Sequence, residues 1–441
     1  MAWGSFLAVA LPATAAPVLA PNDPQFKTQW GLVAADAQPA WSVSTGKGVL
    51  IGIVDTGADL LHEDLAGKVV ASTNCIGAAG DATQCKGNGQ DDNGHGSHVA
   101  GIAAAVTGNA KGIAAMAPDA KLLIAKALDS NLTASMGDIA AGIHWVVDHG
   151  AKVVNLSFGD DAFTQSSVIG PALRDSIEYA WTKGAITVLA AGNASVLGFG
   201  LQSYGNLDAI VVGAIGRDGA VAGYSSPTGT AKWAVLAPGG SADGTPADDI
   251  LSAYWEHGVP NAYRTLAGTS MAAPFVSGAL ALLVANGLSP ATAVSHLLSA
   301  VNTKVACGAG SDNCHGLLDT GVALVPAASH PTSAPPVAPP TSAPPSQFVP
   351  LPTSVAPSST LPPVAAMNPA HPVPTTLGPK RPATDPPVTP TLKDSHAVAV
   401  GPLGTKHANS SFAWLVLFGI LFALAAGGGV FWVVRNSPEP D

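Results

Sequence analysis

The 441-residue sequence predicts an α/β fold, a three-layer sandwich with a mostly parallel central sheet, followed by one C-terminal transmembrane helix. Three observations carry that expectation. Five stretches are near-continuous apolar, branched runs, as strands buried on both faces require. Amphipathic stretches of helical period lie between them, and strands alternating with helices build a parallel sheet covered on both sides. Near the C terminus, 23 residues pass without a charge. At about 1.5 Å per residue, such a helix spans a hydrocarbon core of about 30 Å.

In chain order, residues 3–11 form a short apolar run and Ala13-Thr14-Ala15 suits signal-peptidase cleavage. Residues 1–21 are therefore expected to be a signal peptide or, since no Lys or Arg precedes Lys27, a truncated leader. Residues 22–325 form the expected globular domain. Its strand candidates are VLIGIVD (49–55), AKLLIAKAL (120–128), AKVVNLSF (151–158), AITVLAAGN (185–193) and AIVVGAIG (209–216). Its helix candidates are HGSHVAGIAAAV (95–106), MGDIAAGIHWVVDHG (136–150) and PALRDSIEYAWTKG (171–184). Residues 326–390 hold 21 of the 37 prolines, mixed with Thr, Ser and Ala, so 326–411 reads as a polyproline-II-rich stalk with no core. Residues 412–434 are the membrane helix, with Trp414 and Trp432 near its ends where interfacial aromatics belong. The export signal orients it, leaving 435–441 as a cytoplasmic tail. The expected placement is single-pass in the cell membrane with the globular domain outside.

Composition removes several function classes. Lys+Arg is 19 against 29 Asp+Glu, a formal charge of -10 with no cationic run, which excludes a nucleic-acid binder. Only 11% of residues are charged, so the chain is no disordered polyelectrolyte. Four cysteines are too few for a dense disulfide scaffold. By proximity Cys75 pairs with Cys85 and Cys307 with Cys314. The alternative, a Cys/His metal site using His315, lacks zinc spacing.

Ligand sites in parallel sheets form at the carboxyl ends of strands. Three polar clusters fall there: Asp55 in IVDTGADLLHEDL, His95 in DDNGHGSHVAG and Ser270 in LAGTSMAAPFVSGALALL. Singly, each is an ordinary cap; an Asp or Ser at such a position usually is. Pro274 fits the first turn of the last helix. Together they supply an acid, a base and a nucleophile. A serine hydroxyl attacks only when a base takes its proton, imidazole exchanges protons near neutrality, and a buried carboxylate orients the imidazole. Asn193, ending TVLAAGN, adds an amide donor for a developing oxyanion. A backbone N–H near Ser270, at the positive end of its helix, would be a second.

These segments resemble the subtilisin family of serine endopeptidases, nearest to its thermitase-like members. VDTG around Asp55, NGHGSHVAGIAA around His95, AAGN around Asn193 and GTSMAAP around Ser270 carry the resemblance, over about 22–325. It implies a subtilisin-like fold, Asp55, His95 and Ser270 as the triad and Asn193 as oxyanion donor. The reaction implied is peptide-bond hydrolysis through an acyl-enzyme. Ser157-Phe158-Gly159 and the segment 130–136 would pair with protein or peptide substrates as flanking strands. Structural calcium is implied as well, on Asp23 and Asp64. Asp81, Asp91 and Asp92 are candidates for another ion, with solvated loop carboxylates as the alternative. Asp59 and Glu63 read as surface charges and His98 as a structural residue.

Two departures from the family pattern stand out. Gly205 replaces a Pro that many relatives carry after Tyr, in a loop that helps build a specificity pocket. Residues 22–41 already resemble the mature start, and no prosegment is seen before them. These features leave a second class open, a subtilisin-fold binding or scaffolding module without meaningful turnover. A third is a peptidase attached to a secretion complex. Mycosins share a Pro-rich segment followed by a C-terminal membrane helix, and this chain is similar to them in architecture.

Overall fold

A computed structural model of the chain describes residues 20–158, 170–193 and 204–324. The expected leader up to residue 19, Gly159, the stalk, the 412–434 helix and the tail lie outside the described residues. Among those described, no helix is long and apolar enough to cross a membrane.

The strands are β1 (Leu50–Asp55), β2 (Val69–Asn74), β3 (Lys121–Lys126), β4 (Val153–Leu156), β5 (Ile186–Ala190), β6 (Ala209–Ile215), β7 (Trp233–Pro238), β8 (Ile250–Glu256), β9 (Val259–Leu266) and β10 (Cys314–Leu317). The helices are α1 (Trp30–Ala34), α2 (Ala37–Trp41), α3 (His95–Ala104), α4 (Met136–Asp148), α5 (Pro171–Thr182), α6 (Thr269–Ala285), α7 (Pro290–Ser299) and α8 (Thr320–Ala323). Eight strands form one sheet in the order β10-β7-β6-β5-β4-β1-β3-β2. Every pairing in it is parallel. β8 and β9 form a separate antiparallel pair.

The expected three layers follow from alternation along the strands. Ile51, Ile53, Val153, Ile186 and Val188 point into one core with Val99 and Ile102 of α3, Phe275 and Leu280 of α6 and Leu297 of α7. Their neighbours Val54, Val154 and Leu189 enter a second core with Ile139 and Ile143 of α4 and Leu173 and Ile177 of α5. Each fully buried branched side chain contributes about 1.5–3 kcal/mol. The two cores clamp the sheet from both faces, which is what makes its carboxyl edge a rigid platform.

Three adjacent strands end on that platform at the candidate residues. Asp55 is the last residue of β1, Ser157 follows β4, and Asn193 follows β5. β1 pairs with β4 and β4 with β5. The β8–β9 hairpin leaves the sheet after β7 and returns through Gly268 to α6, which carries Ser270 near its start. Both expected disulfides, Cys75–Cys85 and Cys307–Cys314, are present.

Pro274 corrects one expectation. α6 begins at Thr269, so Pro274 lies inside the helix rather than in its first turn. A helical N–H at that position would bond to the carbonyl four residues back, that of Ser270. Proline has none to offer.

Candidate active site

Asp55 is fully buried, and its Oδ1 takes two hydrogen bonds. His95 Nδ1 lies 2.8 Å away, and the Thr56 N–H donates at 2.7 Å. His95 is the first residue of α3, with its side chain 14% exposed. A buried carboxylate bonded to Nδ1 fixes the tautomer and orientation of the imidazole. Two glycines make this approach possible. Gly94 has φ +106, and a Cβ there would lie 2.3 Å from the Tyr254 ring. A Cβ at Gly96 would lie 2.1 Å from the Gly57 carbonyl oxygen, so the loops carrying Asp55 and His95 touch through bare backbone.

Asp91 ties these loops together. Its Oδ1 accepts from Thr56 Oγ1 (2.9 Å), Asn93 N (3.0 Å) and Gly94 N (3.0 Å). Its Oδ2 accepts from Ser97 N (2.9 Å) and Ser97 Oγ (2.6 Å). Thr56 Oγ1 in turn accepts from Gly96 N at 2.9 Å. Burial acts to push the Asp91 carboxyl up, but bonds from Gly94, Ser97 and Asn93 outweigh it and hold the group below its usual range. Asp92 pairs with Lys126 Nζ at 2.6 Å. The same ammonium donates to the Thr56 and Leu128 carbonyls, each at 2.9 Å. Asp81 is exposed and bonds Thr83 within its own turn. The three carboxylates considered for another ion therefore have separate partners and share none.

A second group assembles around Ser270. The Asn193 Oδ1 accepts from Thr269 N (2.9 Å) and Thr269 Oγ1 (3.1 Å), which fixes the orientation of its amide. Thr269 Oγ1 itself accepts from Gly192 N at 3.0 Å. Ser157 Oγ donates to the Ser270 carbonyl at 2.8 Å. Phe158 is buried. Of the residues expected in the site, Asp55 pairs directly with His95, and Asn193 and Ser157 both reach the start of α6. The sequence did not single out Thr269, Lys126 or the Ser157 hydroxyl, and it offered Asp91 as an ion ligand rather than as the tie between these loops. Only Asp91 had a readable signal, an acid four residues ahead of the helix-opening His95.

His98 is fully buried, and its Nε2 lies 3.0 Å from the Ile250 and Arg264 carbonyls. Burial lowers its pKa to about 3, so it is a neutral structural donor, as expected. Asp59 differs from expectation: it is buried and caps the Leu61 N–H at 3.1 Å. Glu63 pairs with Lys111 at 3.3 Å.

Asp23 and Asp64 are both buried and meet at one loop. Asp23 accepts from Gly108 N (2.8 Å) and Asn109 N (3.1 Å). Asp64 accepts from Asn109 Nδ2 (2.8 Å), Ile113 N (2.9 Å) and Tyr263 Oη (2.8 Å). Burial raises the Asp23 carboxyl, and the Asp64 charge adds to it, against those N–H bonds. Among the described residues no group of three or more His, Cys, Asp or Glu side chains gathers as a metal cluster. The donor chemistry nevertheless fits a hard cation: Asp23 and Asp64 are two buried carboxylates whose hydrogen-bond partners are all neutral.

The profile of the subtilase family matches residues 46–331. The chain belongs to the subtilase family. It is thereby placed among serine endopeptidases with an α/β, mostly parallel fold. It is 40% identical over 271 residues to the thermophilic serine proteinase of Bacillus sp. AK1, covering 60% of each chain. It is 38% identical over 270 residues to thermitase of Thermoactinomyces vulgaris, covering 61% of this subtilase and 87% of thermitase. A solved protease structure from Pseudoalteromonas arctica matches with a TM-score of 0.58 and 27% identity, covering 69% of this chain and 98% of that one.

Proposed function

We propose that this subtilase hydrolyses peptide bonds of protein or peptide substrates through an acyl-enzyme. The observation that carries it is the buried Asp55 carboxylate 2.8 Å from His95 Nδ1, on a strand edge shared with Asn193 and the start of α6. Ser270 Oγ attacks the scissile carbonyl while His95 takes its proton. Asp55 stabilises the imidazolium that forms. The amide NH2 of Asn193, held by Thr269, and a backbone N–H at the start of α6 donate to the oxyanion. One such donor contributes about 2.7–4 kcal/mol to the transition state. The amine leaves with the proton from His95, an ester to Ser270 remains, and water attacks it by the same route. The segments 130–136 and 157–159 hold the substrate as an added strand.

Calcium bound by Asp23 and Asp64 would supply structural charge compensation away from the reacting atoms. The uncharged 412–434 segment supports a tether that keeps the domain outside the cell membrane. Carbonate extraction of membranes tests it, with the full chain expected in the pellet and a chain ending at 325 in the wash. The chemistry is tested with 4-nitrophenyl acetate. The expected result is a burst of about one nitrophenolate per chain, absent in Ser270→Ala; equal bursts in both proteins contradict the proposal.

A further inference from the structure

A run of buried polar side chains crosses from α6 to the sheet and back. Ser277 Oγ donates to Asn155 Oδ1 at 2.8 Å. Asn155 Nδ2 donates to Ser157 Oγ at 2.8 Å, and Ser157 Oγ donates to the Ser270 carbonyl at 2.8 Å. Ser277 and Asn155 are fully buried and Ser157 is 1% exposed. Asn155 sits inside central strand β4, where an apolar residue would otherwise fill the core. The direction of the relay is fixed by chemistry. Asn155 offers one acceptor and one donor group, and each hydroxyl has a single proton to give.

The relay ends on the carbonyl that Pro274 leaves without its helical donor. Ser270 lies in the first turn of α6, and Ser277 lies seven residues on, on the same face. A helix carbonyl buried without a partner keeps the desolvation penalty that a hydrogen bond would offset. Ser157 removes that cost and, in doing so, fastens the nucleophile's own peptide to the end of β4. Ser157 also opens the segment proposed to pair with substrate.

We infer that Ser157, held by Asn155 and Ser277, is a positioning residue that sets the Ser270 backbone in place of the hydrogen bond Pro274 cannot make. This rests on Ser270 being the nucleophile. An ordinary helical bond would tie Ser270 to its own helix alone. The Ser157 bond ties it to the sheet edge that also carries Asp55 and Asn193. Nucleophile, base and oxyanion donor then share one frame.

The test is a double-mutant cycle of Ser157→Ala and Pro274→Ala, read by saturable labelling with a fluorophosphonate probe. Ser157→Ala is expected to slow the maximal labelling rate about ten- to a hundredfold, with half-saturation within about twofold, because it displaces the nucleophile without removing probe contacts. In the Pro274→Ala background the helix regains an N–H for the Ser270 carbonyl, and Ser157→Ala is expected to have little further effect. The same fold-loss in both backgrounds overturns the inference, as does an unchanged rate in Ser157→Ala. If Ser157→Ala does not fold, Ser277→Ala, which cuts the relay two turns away, takes its place with the same split expected and the same overturning result. No labelling of the wild type overturns this inference and the proposed function together; labelling of the wild type with additive losses overturns this inference alone.

Discussion

Asp91 beside the Asp55–His95 pair and Asp23 at the 107–113 loop are built from similar parts and end in opposite electrostatic states. Both are buried carboxylates that accept backbone N–H bonds. Asp91 gathers five donors, two of them from Ser97, and its carboxyl is held below the usual range. Asp23 receives its bonds from the Gly108 and Asn109 N–H groups and its own, and faces the charge of Asp64, so burial wins and its carboxyl is raised. Burial alone therefore does not mark a cation site. A carboxylate saturated with donors needs no counter-charge and serves as a fastener. Two buried carboxylates facing each other, Asp23 and Asp64, are where the proposed calcium would sit.

The largest expected effect is at the saturated carboxylate. In Asp91→Asn, an NH2 group faces the Ser97 N–H and O–H donors or displaces the Thr56, Asn93 and Gly94 bonds. The Thr56–Gly96 contact that holds the His95 loop should loosen. Turnover is expected to fall about a hundredfold, since misplacing a catalytic group by about 1 Å costs that much. Unfolded casein hydrolysis measures it. Near-normal turnover would show that the donors around Asp91 are not what positions His95.

At the other carboxylate pair the effect should fall on stability. Calcium at about a hundred times its dissociation constant should add about 2.7 kcal/mol. For a domain of this size that corresponds to a rise of several degrees in Tm by calorimetry. Asp64→Asn should abolish the calcium increment and leave turnover of the folded protein intact at low temperature. An unchanged increment in Asp64→Asn would move the cation elsewhere. Asp91→Asn should keep the increment in full, which separates the two corners in one experiment.

The third effect is at His98 and shows only in acid. Its pKa is about 3 folded, against an ordinary value of 6.5. Below about 6.5 the unfolded chain takes up a proton that the folded chain refuses, so stability falls as pH drops from about 6.5 toward 3 and is fully present above that window. Urea titrations over this range should show a slope with one proton more in the wild type than in His98→Gln. Identical slopes would mean that the imidazole titrates in the native state.

The sequence made the centre of the fold legible and left its edges obscure. β1, β3, β4, β5 and β6 are buried on both faces, so their residues are almost all apolar and announce themselves. β2 is mostly not buried and reads VVASTN; β10 has four residues, one of them glycine. Neither has a pattern strong enough to stand out. β8 and β9 mix Ser, Tyr, Glu, Pro and Arg with apolar residues because they pair only with each other, outside the main sheet.

The site divides in the same way. Asp55, His95, Asn193 and Ser270 are visible because the proposed chemistry needs those residue types at strand and helix ends. Their supports are ordinary residues. Thr269, Ser157 and Asn155 act through a hydroxyl or amide whose partner is distant in the chain, such as the 113 residues between Ser157 and Ser270. No local spacing encodes such a pair. The paired disulfides were legible because short loops leave few alternatives. The proposed second ion was not excluded by sequence, because three acids in one loop look alike until Lys126 and Ser97 are seen to claim two of them.

Activation of Ser270 by the His95–Asp55 pair at one sheet edge underlies every functional statement above. A fluorophosphonate probe, with the adduct located by peptide mass spectrometry, addresses it most directly. The wild-type chain should carry one adduct on the peptide containing Ser270, with labelling lost in Ser270→Ala and reduced by orders of magnitude in His95→Ala. An adduct on another residue, or labelling of His95→Ala at the wild-type rate, would contradict it.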